Sequence, residues 1–338
     1  MASQNLRDVE SQNYGTYPNA QQGLPPRSKK SGSKCIRWLI GLCIFLPMVY
    51  LFVFYIPTSK PKFVPVEDLQ VLKQLNFSPS HSNSSQVIAI GDIHGLYDQM
   101  DHLLQKANYV ANRDKVVFLG DFISKGPDSL KVIDFAIDNN IECVRGNHED
   151  ELLYLYTDHY SLPNPRVEGG KTTREYEDFE DVDDEVDKEI VLSLKPRHVN
   201  YLSSCSAIID MGKIAPEGYR AVACHGGLMW NVDTLEDQDA DTVMTVRTLH
   251  GKNKDIPTES KSGTPWTKPF SKVMEKRDPE DRWVVYYGHD ASTGLNIQEY
   301  TRGHDSGCFK GKRLTATVIT QDKHGKFIND LVSVSCDR

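Results

Sequence analysis

The sequence predicts a mixed α/β domain with more than one sheet, and three observations carry that prediction. Short apolar runs alternate with amphipathic stretches from residue 86 onward. Each of the first three runs ends in a loop built from Gly, Asp, Asn and His, and the later part of the chain is rich in β-branched and aromatic runs with fewer helical stretches between them. Alternating strand and helix patterns indicate a parallel sheet with crossovers, and the strand-rich remainder requires further pairing.

The elements follow in order. QVIAI (86–90) is a strand, and LYDQMDHLLQKA (96–107) places Leu96, Met100, Leu103, Leu104 and Ala107 at helical spacing. KVVFL (115–119), PDSLKVIDFAIDNN (127–140) and IECVR (141–145) repeat strand, helix, strand. CSAIID (205–210), YRAVAC (219–224), RWVVYY (282–287), RLTATVI (313–319) and FINDLVSVS (327–335) are predicted strands. No internal repeat is present.

Before the domain, residues 1–35 form a polar tail, 36–56 a membrane-spanning segment and 57–85 a Ser/Pro-rich stalk, leaving 86–338 for the fold. From Trp38 to Ile56 nineteen residues pass without a charge, about the thickness of a bilayer core at ~1.5 Å per residue. Arg27, Lys29, Lys30, Lys34 and Arg37 crowd its amino side, whereas Lys60 and Lys62 lie beyond it. The positive-inside rule then predicts a single-pass type II protein with a cytoplasmic tail and a lumenal domain. Two glycosylation sequons, at Asn76 and Asn83, fall in the expected stalk. Of seven cysteines, five lie beyond the span, an odd number that allows one bridge, for instance Cys308 to Cys336.

The net charge of −8 argues against nucleic acid as a partner, because a basic face would be needed to neutralise its phosphates. Residues 175–189 concentrate ten acidic residues against one lysine and are expected to form a solvated insert.

The chemistry is carried by the strand-end loops. Gly91-Asp92-Ile93-His94-Gly95, Gly120-Asp121 and Gly146-Asn147-His148-Glu149 follow the first three strands, His225-Gly226-Gly227 and Gly288-His289-Asp290 two later ones. Ligands in open α/β sheets gather outside the carboxyl ends of strands, so these loops are expected to converge. Carboxylate, amide and imidazole without thiolate suit zinc, manganese or iron. The ligand count fits two ions, an arrangement that lowers the pKa of a shared water so that hydroxide attacks phosphorus in line.

The order GDxHG, GD, GNHE, HGG and GH, spread over residues 86 to 300, resembles the metallophosphatase superfamily of serine/threonine phosphatases and bacterial diadenosine tetraphosphatases. That resemblance implies a metallophosphoesterase fold, a central β-sandwich flanked by helices. It implies Asp92 and His94 on a first metal, Asp121 bridging, and Asn147, His225 and His289 on a second. His148 would protonate the leaving group, and Gly91, Gly95, Gly120 and Gly146 would permit the tight turns. Arg247, in TVMTVRTL, resembles a phosphate-binding arginine that follows HGG in the superfamily, and Arg145, just before GNHE, is a further substrate-binding candidate. Lys268, His304, Lys310, Lys312 and Arg313 are further basic residues of unassigned position.

GDFISKG (120–126) departs from the GDxxDRG of the protein phosphatases at Ser124 and Lys125. In those enzymes the Asp keeps the acid histidine protonated for a poor alkoxide leaving group, a task Ser124 cannot perform. A phosphate leaving group needs little protonation, so the change favours anhydrides over phosphoserine. Lys125 keeps a positive charge without the planar fork of arginine. GDFISKGPDS, GNHEDELL and YYGHDASTGLN resemble the fungal zinc-dependent endopolyphosphatases of the vacuole. The resemblance implies inorganic polyphosphate as substrate, cleavage at internal bonds, zinc as the metal with manganese, cobalt or iron as alternatives, and the vacuole membrane as location. The other readings are a dinucleoside polyphosphate hydrolase, a lumenal protein phosphatase, and an inactive membrane-tethered binding protein.

Overall fold

The computed structural model describes residues 32–55, 63–77, 85–168 and 185–337, and the chain divides into two units, residues 1–61 and 62–338. Asn83, most of the acidic insert and nearly all of the expected tail lie outside the described residues.

In the first unit, helix α1 (Gly32–Tyr50) runs into a π-helical turn, Leu51–Tyr55. The apolar run is shared between the two, and large side chains from Trp38 to Phe54 are exposed along it. Among the described residues no helix is long and apolar enough to cross a membrane.

The second unit is built on two large sheets. One has the order β14-β13-β2-β3-β4, from β2 (Val87–Ile90), β3 (Lys115–Phe118), β4 (Glu142–Cys143), β13 (Arg313–Gln321) and β14 (Phe327–Ser335). Strands β2, β3 and β4 are parallel, joined by crossover helices α2 (Tyr97–Lys106) and α3 (Ser129–Asp138). The other has the order β1-β5-β6-β10-β12-β11, from β1 (Leu72–Gln74), β5 (Ile208–Gly212), β6 (Arg220–Ala223), β10 (Trp283–Tyr287), β11 (Asn296–Ile297) and β12 (Thr301–Gly303). A small third sheet joins β7 (Thr248–His250), β8 (Ile256–Thr258) and β9 (Thr264–Pro265).

The period-2 alternation of strands explains the layering. Val87, Ala89 and Val117 pack against Ile209, Met211, Ala221, Ala223, Val284 and Tyr286, so one face of each large sheet meets the other. The opposite face of the first sheet, with Ile88, Ile90 and Phe118, is covered by Met100, Leu103, Val132 and Ile133 of α2 and α3. It is also covered by α4 (Asn147–His159), α5 (Glu185–Ser193) and α6 (Pro196–Ser204). The outer face of the second sheet, with Ile208, Val222 and Val285, packs under α7 (Ala240–Thr245) and α8 (Thr267–Met274). Helix, sheet, sheet and helix form the expected sandwich.

Two expectations change. The stalk begins to fold before residue 86: Leu69 is 1% exposed, its N–H donates to the Arg166 carbonyl at 2.6 Å, and β1 pairs in parallel with β5. Burial of Leu69 and Leu75 and the hydrogen bonds of a sheet edge draw residues 63–77 into the domain. Besides Cys308–Cys336, a second disulfide joins Cys143 to Cys205, closing a separation of 62 residues. Each closure is worth roughly 3–4 kcal/mol in the loop-entropy account. Cys224 stays free and buried, before the loop that carries His225.

Candidate metal centre

The parallel order of β2, β3 and β4 places three loops side by side at one end of the first sheet, and the loops after β6 and β10 meet them from the second sheet. The backbone there is strained. His94, Asp121, Ser124, Lys125 and His289 all hold positive φ, between 48° and 71°, at a cost of about 1 kcal/mol or more each. Gly120 also turns through positive φ, and a Cβ there would stand 2.5 Å from His225 Nδ1. Gly146 serves differently: its φ is −91°, but a Cβ would collide with the Asp121 carboxylate and amide.

Asp121 lies at the centre, 3% exposed. Its carboxylate is 3.2 Å from His225 Nε2 and 3.9 Å from both His94 Nε2 and His148 Nε2. Two clusters with metal-ligand spacing share it: His94, Asp121 and His148, and Asp121, His225 and His289. Asn147 Oδ1 lies 3.2 Å from His225 Nε2. Asp92 accepts the His289 backbone N–H at 3.1 Å. His148, expected as proton donor, therefore stands within reach of the same carboxylate as the expected ligands.

In three of these imidazoles the second nitrogen is occupied by a carbonyl. His225 Nδ1 lies 2.8 Å from the Leu119 carbonyl, His289 Nε2 2.8 Å from that of Thr245, and His94 Nδ1 3.2 Å from that of Ile123. Such contacts fix the tautomer and leave the other nitrogen as a lone-pair donor, as in metal-ligating histidines. Electrostatics agree for His94 and His289, which burial keeps neutral, and differ for His225. Burial holds His94 down to about 3 and pushes Asp92 well up, with Asp305 adding to the rise. Burial would also depress His225, but Asp121 outweighs it and lifts the imidazole to about 9. Buried carboxylates crowded with buried imidazoles, all oxygen and nitrogen donors, fit divalent cations of the zinc or manganese type.

Around the centre opens a cleft of about 550 Å³, lined by Lys125, Arg247, Lys261 and Lys310 together with Asp290, Ser292 and Phe309. Lys125 Nζ is 3.3 Å from His94 Nε2, and Arg247 donates to the carbonyls of His289 and Glu259, each at 3.3 Å. Lys268 lines an adjoining cavity of about 470 Å³ that shares Arg247 and Asp290 with the cleft.

Arg145 does not belong to substrate binding. Its side chain is 0% exposed, with Nη1 on Asp150 at 3.2 Å and Nη2 on the Ser203 carbonyl at 2.9 Å. A guanidinium in so dry a position needs these partners and reaches no ligand. His304 is likewise structural, its nitrogens held by the Arg302 carbonyl at 2.7 Å and Thr317 Oγ1 at 2.6 Å. Lys312 and Arg313 are not among the residues of the cleft.

Three residues of the site escaped the sequence reading. Asp305, 5% exposed, borders the cleft beside Asp92; it lies two residues past the end of β12, and the strand-end rule applied once more would have found it. Lys261 arrives on the small sheet, which carries no strong periodicity. Glu149 is named in GNHE, but its role as acceptor for four backbone amides has no mark in the sequence.

Comparison with known proteins places this geometry. The sequence profile of the Calcineurin-like phosphoesterase family matches residues 85–316. The zinc-dependent endopolyphosphatase of Saccharomyces cerevisiae is 24% identical over 314 residues, 88% of this chain and 94% of the relative. The asymmetrical bis(5'-nucleosyl)-tetraphosphatase of Oceanobacillus iheyensis is 26% identical over 239 residues, 67% of this chain and 86% of the relative. A crystal structure assigned only provisionally as a diadenosine tetraphosphatase superposes with a TM-score of 0.57 at 28% identity, covering 78% of this chain and 97% of the other. With its sandwich, its strand-end loops and its shared aspartate, the chain belongs to the calcineurin-like phosphoesterase family.

Proposed function

We propose that the protein is a metal-dependent hydrolase of inorganic polyphosphate that cuts phosphoanhydride bonds within the chain. The observation that carries this reading is the lining of the cleft: Lys125, Arg247, Lys261 and Lys310 surround the centre, and Phe309 is its one aromatic ring among the described residues, histidines aside. Four cations suit a chain of like charges, whereas adenine recognition calls for a stacking pair. The similarity to an endopolyphosphatase over nearly the full length of both chains supports the same choice.

Asp92, His94, Asp121, Asn147, His225 and His289 would hold two ions, with zinc the preferred species. The bound metals would supply an activated water and Lewis acidity toward the phosphoryl oxygens. Lys125 and Arg247 orient the substrate, and His148, beside Asp121, is placed to donate a proton to the departing phosphate. Ser124, 1% exposed, supplies no carboxylate to strengthen that acid.

The second reading is a dinucleoside polyphosphate hydrolase. The adjoining cavity favours it to the extent that Trp266 and Tyr287 line it. Trp266, however, is 2% exposed and packed against Gly227, Phe270 and Tyr287, which is the setting of a core residue.

We also propose a type II anchor over residues 36–56 with the catalytic unit in the vacuolar lumen. Two disulfides in the second unit suit an oxidising compartment. Asn76 is exposed, as a glycan acceptor must be.

The test is competition among substrates. The zinc-loaded full chain is incubated with long-chain polyphosphate, diadenosine tetraphosphate and a phosphoserine peptide. Polyphosphate turnover with chains of intermediate length is expected, and turnover of the peptide alone would sink the reading.

A further inference from the structure

The cations of the cleft fall into two sets on either side of Asp121. One set belongs to the His94 side. Lys125 lies 3.3 Å from His94 Nε2 and 5.9 Å from the Phe309 ring centroid, and Phe309 stands edge-on to His94 at 5.9 Å. Lys310 follows Phe309 in a 3₁₀ turn, Cys308–Lys310, flanked by Gly307 and Gly311 in left-handed conformation and tethered to β14 by the Cys308–Cys336 bridge.

The other set belongs to the His289 side. Arg247 donates to the His289 carbonyl and to that of Glu259, and Lys261 lies two residues beyond Glu259 on the turn between β8 and β9. That turn is pinned. The buried Thr248 hydroxyl lies 2.8 Å from the Ser260 carbonyl and 3.1 Å from that of Ser262, so the backbone is held on both sides of Lys261. Acidic residues also line the cleft, and Asp290 lies close enough to Arg247 for their charges to interact. Asp290 is engaged by the hydroxyls of Ser292 and Thr293, and Asp305 accepts the Gly307 N–H at 3.1 Å beside Asp92.

From this split we infer that the cleft has two arms: Lys125 with Lys310 holds the polyphosphate chain on one side of the scissile anhydride, and Arg247 with Lys261 holds it on the other. The inference rests on the polyphosphate reading and supplies what that reading lacks, a residue-level cause of internal cleavage. A site that trims ends needs cations on one side and a stop on the other. Cations on both sides present an internal bond to Asp121 and leave both ends of the polymer outside. Exposed ammonium groups on flexible stems grip without fixing register, which suits a repeating substrate.

The experiment uses the zinc-loaded full chain with long-chain polyphosphate and with tripolyphosphate, which has only three phosphates to share between the arms. Lys261→Ala and Lys310→Ala are each expected to raise KM for the long chain by about three- to fivefold, the effect of one exposed charge contact. The rise should be smaller for tripolyphosphate, kcat should hold within about twofold, and the double variant should multiply the two effects. Lys261→Arg and Lys310→Arg should restore KM, and unchanged thermal midpoints would show that the variants fold. In each alanine variant the early products should shift from mid-length chains toward short fragments. Equal KM effects on the two substrates, or an effect from only one of the two lysines, would overturn the two-armed cleft while leaving polyphosphate as substrate. A wild-type protein that leaves the long chain uncut would overturn the polyphosphate reading itself, and the arms with it.

Discussion

The Glu149 carboxylate accepts the backbone N–H of Asp121 at 2.8 Å, and through its two oxygens it also accepts those of Gly146 at 2.9 Å, Phe122 at 2.9 Å and Ile123 at 3.3 Å. One fully buried side chain at the third position of α4 thus ties the loop after β3 to the loop after β4. Glu149→Gln would turn an amide toward amide donors. It is expected to cost about 2–4 kcal/mol in folding stability and about tenfold or more in metal affinity, read by urea denaturation and zinc competition. Wild-type zinc affinity in this variant would show that the loops are held by other means.

Gly146 should tolerate no side chain. A Cβ there meets the Asp121 carboxylate and the Glu149 Oε2 atom at once, and its neighbours are fixed by the bonds just described. Gly146→Ala is expected to displace Asp121 and reduce turnover by about a hundredfold, while far-ultraviolet circular dichroism stays near wild type. Activity within threefold of wild type would contradict the close packing.

Asp210 and Arg220 give a pH-dependent contribution away from the centre. Burial pushes the Asp210 carboxyl up, but the Arg220 guanidinium, 2.5 Å away, and the Gly212 N–H at 2.9 Å outweigh it and leave it lowered. A carboxyl lowered by folding stabilises the native state above its unfolded value, and that stability is lost as pH falls through the folded value. Arg220 is partly exposed, which limits the pair to about 1–2 kcal/mol. Asp210→Asn should therefore be less stable than wild type by that amount at pH 7, with the gap closing as pH falls through and below the ordinary carboxylate range. A gap independent of pH would mean that packing, not charge, is lost.

Ser124 marks the choice of leaving group. Among the described residues its hydroxyl has no hydrogen-bond partner, and its backbone N–H donates to Ser129 Oγ at 3.0 Å. Ser124→Asp should lower stability, since it buries a carboxylate, yet raise turnover of a phosphomonoester relative to polyphosphate by about tenfold. An unchanged ratio would count against leaving-group chemistry as the reason for the serine.

Much of the centre was legible because its residues follow strands. Asp92, Asp121, Asn147, His225 and His289 each follow an apolar run at a glycine-marked turn, and the sheet order brings them together. Arg145 was misjudged for a physical reason: a charged residue at a strand end reads as exposed, and its burial depends on Asp150, one turn into the following helix, and on Ser203, far along the chain. Leu72–Gln74 passed as stalk because three residues beside a Ser/Pro-rich stretch carry no periodicity, and their strand exists only through pairing with Ile208–Asp210. The Cys143–Cys205 bridge is equally non-local. Lys261 owes its place to a three-stranded sheet of short, polar strands, held together by the hydrogen bonds of Thr248 rather than by an apolar pattern.

Asp121 as a ligand shared by two metal positions is the claim on which the rest depends, and metal content tests it most directly. The full chain, dialysed against limiting zinc, should retain two ions per protein by elemental analysis. Asp92→Asn should retain one, and Asp121→Asn should lose both along with hydrolysis of polyphosphate. A wild-type protein holding a single ion, or an Asp121→Asn protein that keeps two ions and remains active, would contradict the shared carboxylate.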